Sequence, residues 1–380
     1  MSTISDSRRL EALLTLNLTE GIGAVLAARL EQAFGSLEAA VAAPAAALER
    51  VPGIGPVLSR AIAATRDQGL ARRELDEAAR LGIRILTADD PDFPDPLRAT
   101  YDPPIVLYAR GTLLPADALA VAVVGTRNPT PYGRAQAERF GRDLAAAGLT
   151  VVSGLARGVD AAAHASALDA VGRTLAVLGS GLTRIYPTEN EDLARRIVGQ
   201  GALLAEVNLR ASPDAKNFPR RNRIVSGLSL GVLVIEAGRK SGTLITVAQA
   251  LDQGREVFAV PGRVDSENSA GCHALIRQGA KLVETVEDVL EELGPYRDRL
   301  RPVTATPGKE GPSLRPQPLG GLPLSPTEEI LVNALSPDPL HIDEVIRGTG
   351  LPAGAVLSGL LTLELKRKVR QDPGKYFARV

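Results

Sequence analysis

Between residues 119 and 293 the chain alternates short, almost unbroken apolar runs with amphipathic stretches. The runs occupy residues 120–124, 150–152, 174–178, 203–207, 231–235 and 256–260. They are rich in β-branched residues and nearly free of polar ones, which predicts strands buried on both faces. The intervening stretches, such as 135–147 and 243–253, carry a helical period. Such alternation closes as a parallel sheet with helices on each side, so a doubly wound, Rossmann-like α/β domain is expected over 119–294.

The flanking segments have a different texture. Residues 1–85 read as short helices separated by Gly-rich turns. Two turns repeat, Gly21-Ile22-Gly23-Ala24-Val25-Leu26 and Gly53-Ile54-Gly55-Pro56-Val57-Leu58, in a helix-hairpin-helix (SAM-like) pattern. Such turns either bring backbone close to a phosphate or simply join packed helices. Neither turn has a Lys or Arg of its own. Residues 86–118 are Pro-rich and predict an extended connector with a short strand over 105–109. Residues 295–325 are dense in Pro and Gly and read as a linker. Beyond them, Ser325-Pro326-Thr327-Glu328 marks a helix start. Helices are expected over 341–347 and 352–363, with a chain reversal at Asp372-Pro373-Gly374. Together these predict a winged helix over 326–380.

Composition narrows the chemistry. The 44 Lys and Arg balance 44 Asp and Glu, so any polyanion site must be local. One Cys and three scattered His leave no disulfide framework and argue against a metal cage. No apolar run approaches the roughly 18 residues of a membrane span, and Arg8, Arg9 and Glu11 interrupt any secretory leader. A cytoplasmic protein is expected.

The ends of the expected strands should crowd one rim of the sheet, where open α/β folds bind ligands. They carry Gly125 and Arg127; Ser153, Gly154, Arg157 and Gly158; and Arg239, Lys240, Ser241, Gly242 and Thr243. Small residues and helix N-termini there favour an anion. The dinucleotide fingerprint and the P-loop spacing are both absent, so no nucleotide cofactor is expected. The segment Lys216-Asn217-Phe218-Pro219-Arg220-Arg221-Asn222-Arg223 sets four cations around one of only six Phe. A basic track with an embedded ring suits a single polynucleotide strand, whose bases stack on the ring. A solvated charge run around a core Phe is the plainer alternative. Cys272 and His273 are adjacent, which is poor geometry for a nucleophile and its base. His164 stands alone. Glu206 and Glu236 either pair as rim carboxylates or bond loop N–H groups.

Residues 121–293 closely resemble the DNA-processing protein A (DprA) family. The resemblance is carried by Val123-Val124-Gly125-Thr126-Arg127 with Tyr132-Gly133, by Ser153-Gly154-Leu155-Ala156-Arg157-Gly158-Val159-Asp160 with His164, and by Tyr186-Pro187. Further matches are Phe218-Pro219-Arg220-Arg221-Asn222-Arg223, the stretch 241–246 and the stretch 255–262. The resemblance implies an extended Rossmann fold that binds single-stranded DNA during natural transformation and recombination. It also implies a homodimer, a RecA recombinase partner, an encounter with single-strand binding protein, and no catalysis. By motif match, Ser153, Gly154, Arg157, Gly158, Phe218, Arg221, Asn222 and Arg223 are assigned to DNA, with Lys216 added. The chain departs from the family at Ala205-Glu206 and over 208–214. Enzymes similar to the lysine decarboxylase-like nucleotide hydrolases place a catalytic Glu where Thr246 stands here, and that reading is the runner-up. The segment 271–282, with His273, Leu275, Ile276 and Leu282, is expected to supply a dimer contact. The third winged-helix helix lacks basic residues, so base-specific duplex readout is not expected. Basic residues follow it at Lys366, Arg367, Lys368, Arg370 and Lys375.

Overall fold

A computed structural model describes residues 4–301, 324–336, 339–366, 368–372 and 376–379. It comprises two compact units, Met1–Ala305 and Thr306–Val380.

The first unit opens with helices α1 (Ile4–Asn17), α2 (Ala24–Phe34), α3 (Leu37–Ala42), α4 (Ala45–Leu48), α5 (Pro56–Asp67) and α6 (Leu70–Arg80). Its two repeated turns interlock. Gly21 and Gly53 have φ of +92° and +94°, which disfavours any side chain there. A Cβ on Gly21 would meet Leu58 at 3.0 Å, and one on Gly53 would meet Leu26 at 2.9 Å. Each turn therefore packs on the helix that the other one opens.

Nine strands follow: β1 (Arg84–Leu86), β2 (Leu107–Gly111), β3 (Ala120–Val124), β4 (Thr150–Ser153), β5 (Thr174–Leu178), β6 (Ala202–Ala205), β7 (Gly231–Val234), β8 (Glu256–Ala259) and β9 (Lys281–Leu282). They form one sheet in the order β1-β2-β6-β5-β4-β3-β7-β8-β9. All neighbours from β6 to β9 are parallel. The short strand expected over 105–109 within the connector is present as β2, two residues further on, and it pairs antiparallel with both β1 and β6. The connector's prolines flank the apolar run Leu107-Tyr108-Ala109 and leave it uninterrupted and fully buried. The run expected at 203–207 ends earlier, at Ala205, because Glu206 and Val207 turn onto the rim.

The sheet-flanking helices are α7 (Asp95–Arg98), α8 (Pro131–Ala146), α9 (Val159–Asp169), α10 (Glu191–Gln200), α11 (Asn217–Gly227), α12 (Thr243–Asp252), α13 (Ala270–Arg277), α14 (Val286–Glu292) and α15 (Gly294–Arg297). Phe140, Leu144 and Ala163 of α8 and α9 bury against one face with Val121, Val123 and Phe258. Ile224, Val225, Val247, Ala250, Cys272 and Leu275 of α11 to α13 cover the other. Leu300 joins the first of these cores, so the chain packs on the sheet past residue 295, where a linker was expected. The rest of that linker, residues 302–323, lies outside the described residues.

The second unit contains α16 (Pro326–Ala334), β10 (Leu340–His341), α17 (Ile342–Thr349), α18 (Ala353–Leu365), β11 (Val369–Asp372) and β12 (Tyr376–Arg379), with strand order β10-β12-β11. Ser325 and Glu328 form a capping box at the start of α16. The Glu328 carboxylate also accepts from Lys366 Nζ at 2.8 Å, and both residues are buried. Lys366 is therefore spent inside the domain and does not join a surface charge cluster. Arg367, Lys375 and the turn residues Pro373 and Gly374 lie outside the described residues. Among the described residues, no single helix is long and apolar enough to cross a membrane.

Candidate nucleic-acid interface

From β3 the chain winds outward through β4, β5 and β6, then returns to β7 on the other side of β3 and continues to β8. The loops after β3 and β7 thus diverge, and the crevice between them is where such sheets bind ligands. A cleft of about 460 Å³ occupies that place. Its walls are Val124 at the end of β3 with residues 125–127 after it, Gly154 and Ala156 after β4, and Asp160 on α9. Arg221, Asn222 and Val225 of α11, with Ser241, Gly242 and Thr243 at the start of α12, complete them.

Glycines allow these loops to cross. A Cβ on Gly125 would meet Val159 at 2.6 Å, and one on Gly158 (φ +78°) would meet the Thr126 carbonyl at 2.5 Å. Several rim groups, however, are committed internally. Ser153 Oγ is buried and donates to Val123 O at 2.6 Å, so it does not face a ligand. The N–H groups of Gly154 and Ala156 donate to Asp160 Oδ2 at 3.1 and 3.4 Å. Burial pushes the Asp160 carboxyl above its usual range, while the nearby Arg221 charge pulls it back.

Helix α11 divides the basic track. At 100° per residue, Phe218, Arg221, Asn222 and Val225 share one face, while Arg220 and Arg223 lie on others. Arg221 proves to be a floor residue: it is 8% exposed and donates through Nη1 to Val177 O at 2.7 Å. A Cβ on Gly154 would overlap its guanidinium, so that glycine exists to admit Arg221. Arg223 turns away from the cleft to ion-pair with Glu206 and to reach Asp102 at 3.3 Å. Lys216 likewise lies outside the cleft walls, held by Glu20 at 2.6 Å. Neither therefore stands as a free phosphate contact.

Phe218 is half-buried, and its ring sits where a Cβ on Gly179 would come within 2.8 Å. The Arg127 guanidinium lies 5.5 Å from its centroid, and the Tyr186 ring is tilted against it at 6.0 Å. Arg127, Arg157, Tyr186 and Phe218 line a shallow extension of the cleft, which shares Gly154 and Ala156 with it. Arg157 is exposed there and ion-paired with Glu189. Lys240 is exposed beside the α12 N-terminus. Tyr186 and Asp160 were not nominated from sequence, although both stand inside motifs quoted above; only their placement against Phe218 and Arg221 reveals their roles.

Glu206 and Glu236 do not meet. Strands β5, β4 and β3 separate theirs, which at about 4.8 Å per strand is roughly 19 Å. Glu236 accepts from Thr130 N at 2.9 Å and Thr130 Oγ1 at 2.6 Å, in a space that Gly133 leaves open. Burial pushes the His164 pKa down to about 3 and the Cys272 thiol up to about 11, so neither is poised for proton transfer or attack.

The segment 271–282 serves largely this chain's own fold. Leu275 is buried in the core, which corrects its assignment to a free surface, and Ile276 packs against the same cluster. His273 Nε2 lies 3.0 Å from Gly262 O. Leu282, on the edge strand β9, is 42% exposed.

Comparison with known proteins agrees with this architecture. Residues 84–294 match the model of the DNA recombination-mediator protein A family, and residues 315–375 match a DprA winged helix domain. Protein Smf from Synechocystis is 37% identical, over 95% of this chain and 96% of that protein. The crystal structure of DNA processing protein A from Streptococcus pneumoniae superposes with a TM-score of 0.62 at 32% identity, covering 76% of this chain and 98% of that one. The Helicobacter pylori DNA processing protein A, determined for its single-stranded DNA binding mode, gives 0.50 at 31% identity, over 56% of this chain and 95% of that one. The crevice, the glycine loops and these matches lead to one assignment: the chain belongs to the DNA recombination-mediator protein A family.

Proposed function

We propose that this protein binds single-stranded DNA without sequence preference in the rim cleft and its extension, and passes the strand to RecA without breaking a bond. The observation that carries this reading is the shared face of α11. It sets Phe218 and Asn222 toward a crevice flanked by exposed Arg127, Lys240 and the α12 N-terminus. Cations and a helix N-terminus attract phosphates, and an accessible ring next to them accepts a base of any sequence. The role in transformation, with RecA receiving the strand and single-strand binding protein displaced from it, is supported by family membership. Separation of Glu206 from Glu236, and a buried Thr246 where a hydrolase would need its Glu, support a non-catalytic site.

An electrophoretic shift with oligo-dT across a salt series tests the reading. Replacing both Arg127 and Lys240 by Ala is expected to weaken binding and flatten the plot of log affinity against log salt by about 1.4, at roughly 0.7 per lost phosphate contact. Strand recovered from the wild-type complex should be full length, and the double variant should no longer support RecA assembly on coated strands. Unchanged affinity in that variant would overturn the site. Dimerisation through the β9 edge, supported by exposed Leu282, belongs to the same proposal; light scattering that finds only monomer at micromolar concentration would remove it.

A further inference from the structure

Two cations of the DNA-assigned motifs, Arg157 in the extension of the cleft and Lys216 just ahead of α11 and outside the cleft walls, are already occupied by carboxylates of the same chain. Arg157 pairs with Glu189, and the two side chains are 59% and 47% exposed. Lys216 is held by Glu20 at 2.6 Å, with Asp214 at 3.8 Å. The partners come from far away in sequence, 32 residues in the first pair and 196 in the second. The fold also aims the first of them. Asn190 Nδ2 donates to Leu155 O at 2.9 Å and so ties the Glu189 turn to the loop that carries Arg157. Each carboxylate offers its cation what a phosphate offers, an anionic oxygen at hydrogen-bond range.

Resting on the single-strand reading above, we propose that Glu189 and Glu20 are intramolecular competitors for the phosphate backbone. They hold Arg157 and Lys216 until a strand displaces them, and they retake those cations as the strand leaves. Exposed ion pairs are individually weak, so a polyanion can displace them. Each displacement nevertheless subtracts from affinity, and each recapture speeds departure. A protein that must surrender its strand benefits from both effects, whereas Arg127 sits over an aromatic ring and needs no such release.

The test compares Glu189→Gln, Glu20→Gln, the double variant and a control, Glu191→Gln, in the full-length protein. The control removes the same charge from the neighbouring exposed position at the start of α10. Oligo-dT affinity should rise about two- to fivefold in each single variant. The factors should multiply in the double variant, because the pairs share no residue. Release of a labelled strand into excess competitor should slow by a similar factor. The proposal fails if Glu189→Gln binds no tighter than wild type, or if Glu191→Gln gains as much, since the effect would then be net charge alone. A wild-type protein that does not bind oligo-dT would instead overturn the single-strand reading itself, and with it this proposal.

Discussion

Replacing Arg221 by Met is expected to destabilise the first unit by about 1–3 kcal/mol, the cost of leaving a buried acceptor without its donor, with the loss of a charge near the buried Asp160 added to it. The guanidinium is nearly inaccessible, bonded to Val177 O, and placed beneath the Gly154 loop beside the buried Asp160. Met fills most of the stem's volume but leaves that carbonyl without its donor and that carboxylate without its cation. The defect should depend on pH. The Asp160 pKa already lies above its unfolded value because of burial, and losing Arg221 raises it further. A group raised in the folded state contributes stability at low pH that is lost as pH rises through the folded value. The variant should therefore fall furthest behind wild type near neutral pH, and recover as pH drops into the carboxyl range. Urea unfolding of the two proteins at pH 7 and at pH 5 checks both points. Equal midpoints at pH 7 would show that Arg221 is not the support claimed for it.

Phe218→Ala should act on binding, with a loss of about 1–3 kcal/mol in oligo-dT affinity, or roughly 5- to 150-fold. The ring is half-buried on Gly179 and contributes one face to the shallow extension beside Tyr186 and Arg127. Its removal takes away the stacking surface but no charge, so the salt dependence should keep its slope. That separates it from the Arg127 and Lys240 pair, whose loss should change the slope. Phe218→Tyr retains a ring and should restore most of the affinity. Retention of wild-type affinity by the Ala variant would place the strand elsewhere on the rim.

The two variants also show why the basic track misled a linear reading. Lys216, Arg220, Arg221 and Arg223 are equivalent as charges in the sequence. At and along α11 they point in different directions: Lys216 meets Glu20, Arg221 the Val177 carbonyl, and Arg220 and Arg223 converge on Glu206, at 4.0 Å from Arg220, with Asp102 also reached by Arg223. Ser153 was misassigned for a related reason, since a small polar residue at a strand end can turn inward to a neighbouring strand as readily as toward a ligand.

The six central strands, their parallel arrangement and the position of the rim followed from sequence, because apolar periodicity and glycine at strand ends are local properties that each segment carries with it. The winged helix was legible on the same basis, from a capping box and short helical periods. Which charges remain available to a polyanion was decided only by tertiary structure. An ion pair such as Arg157 with Glu189, or a bond such as that from Arg221 to the Val177 carbonyl, joins residues whose separation along the chain bears no relation to their distance in space. Coulomb and hydrogen-bond energies depend on that distance and on burial, so the free and the committed cations can be told apart only once the chain has folded.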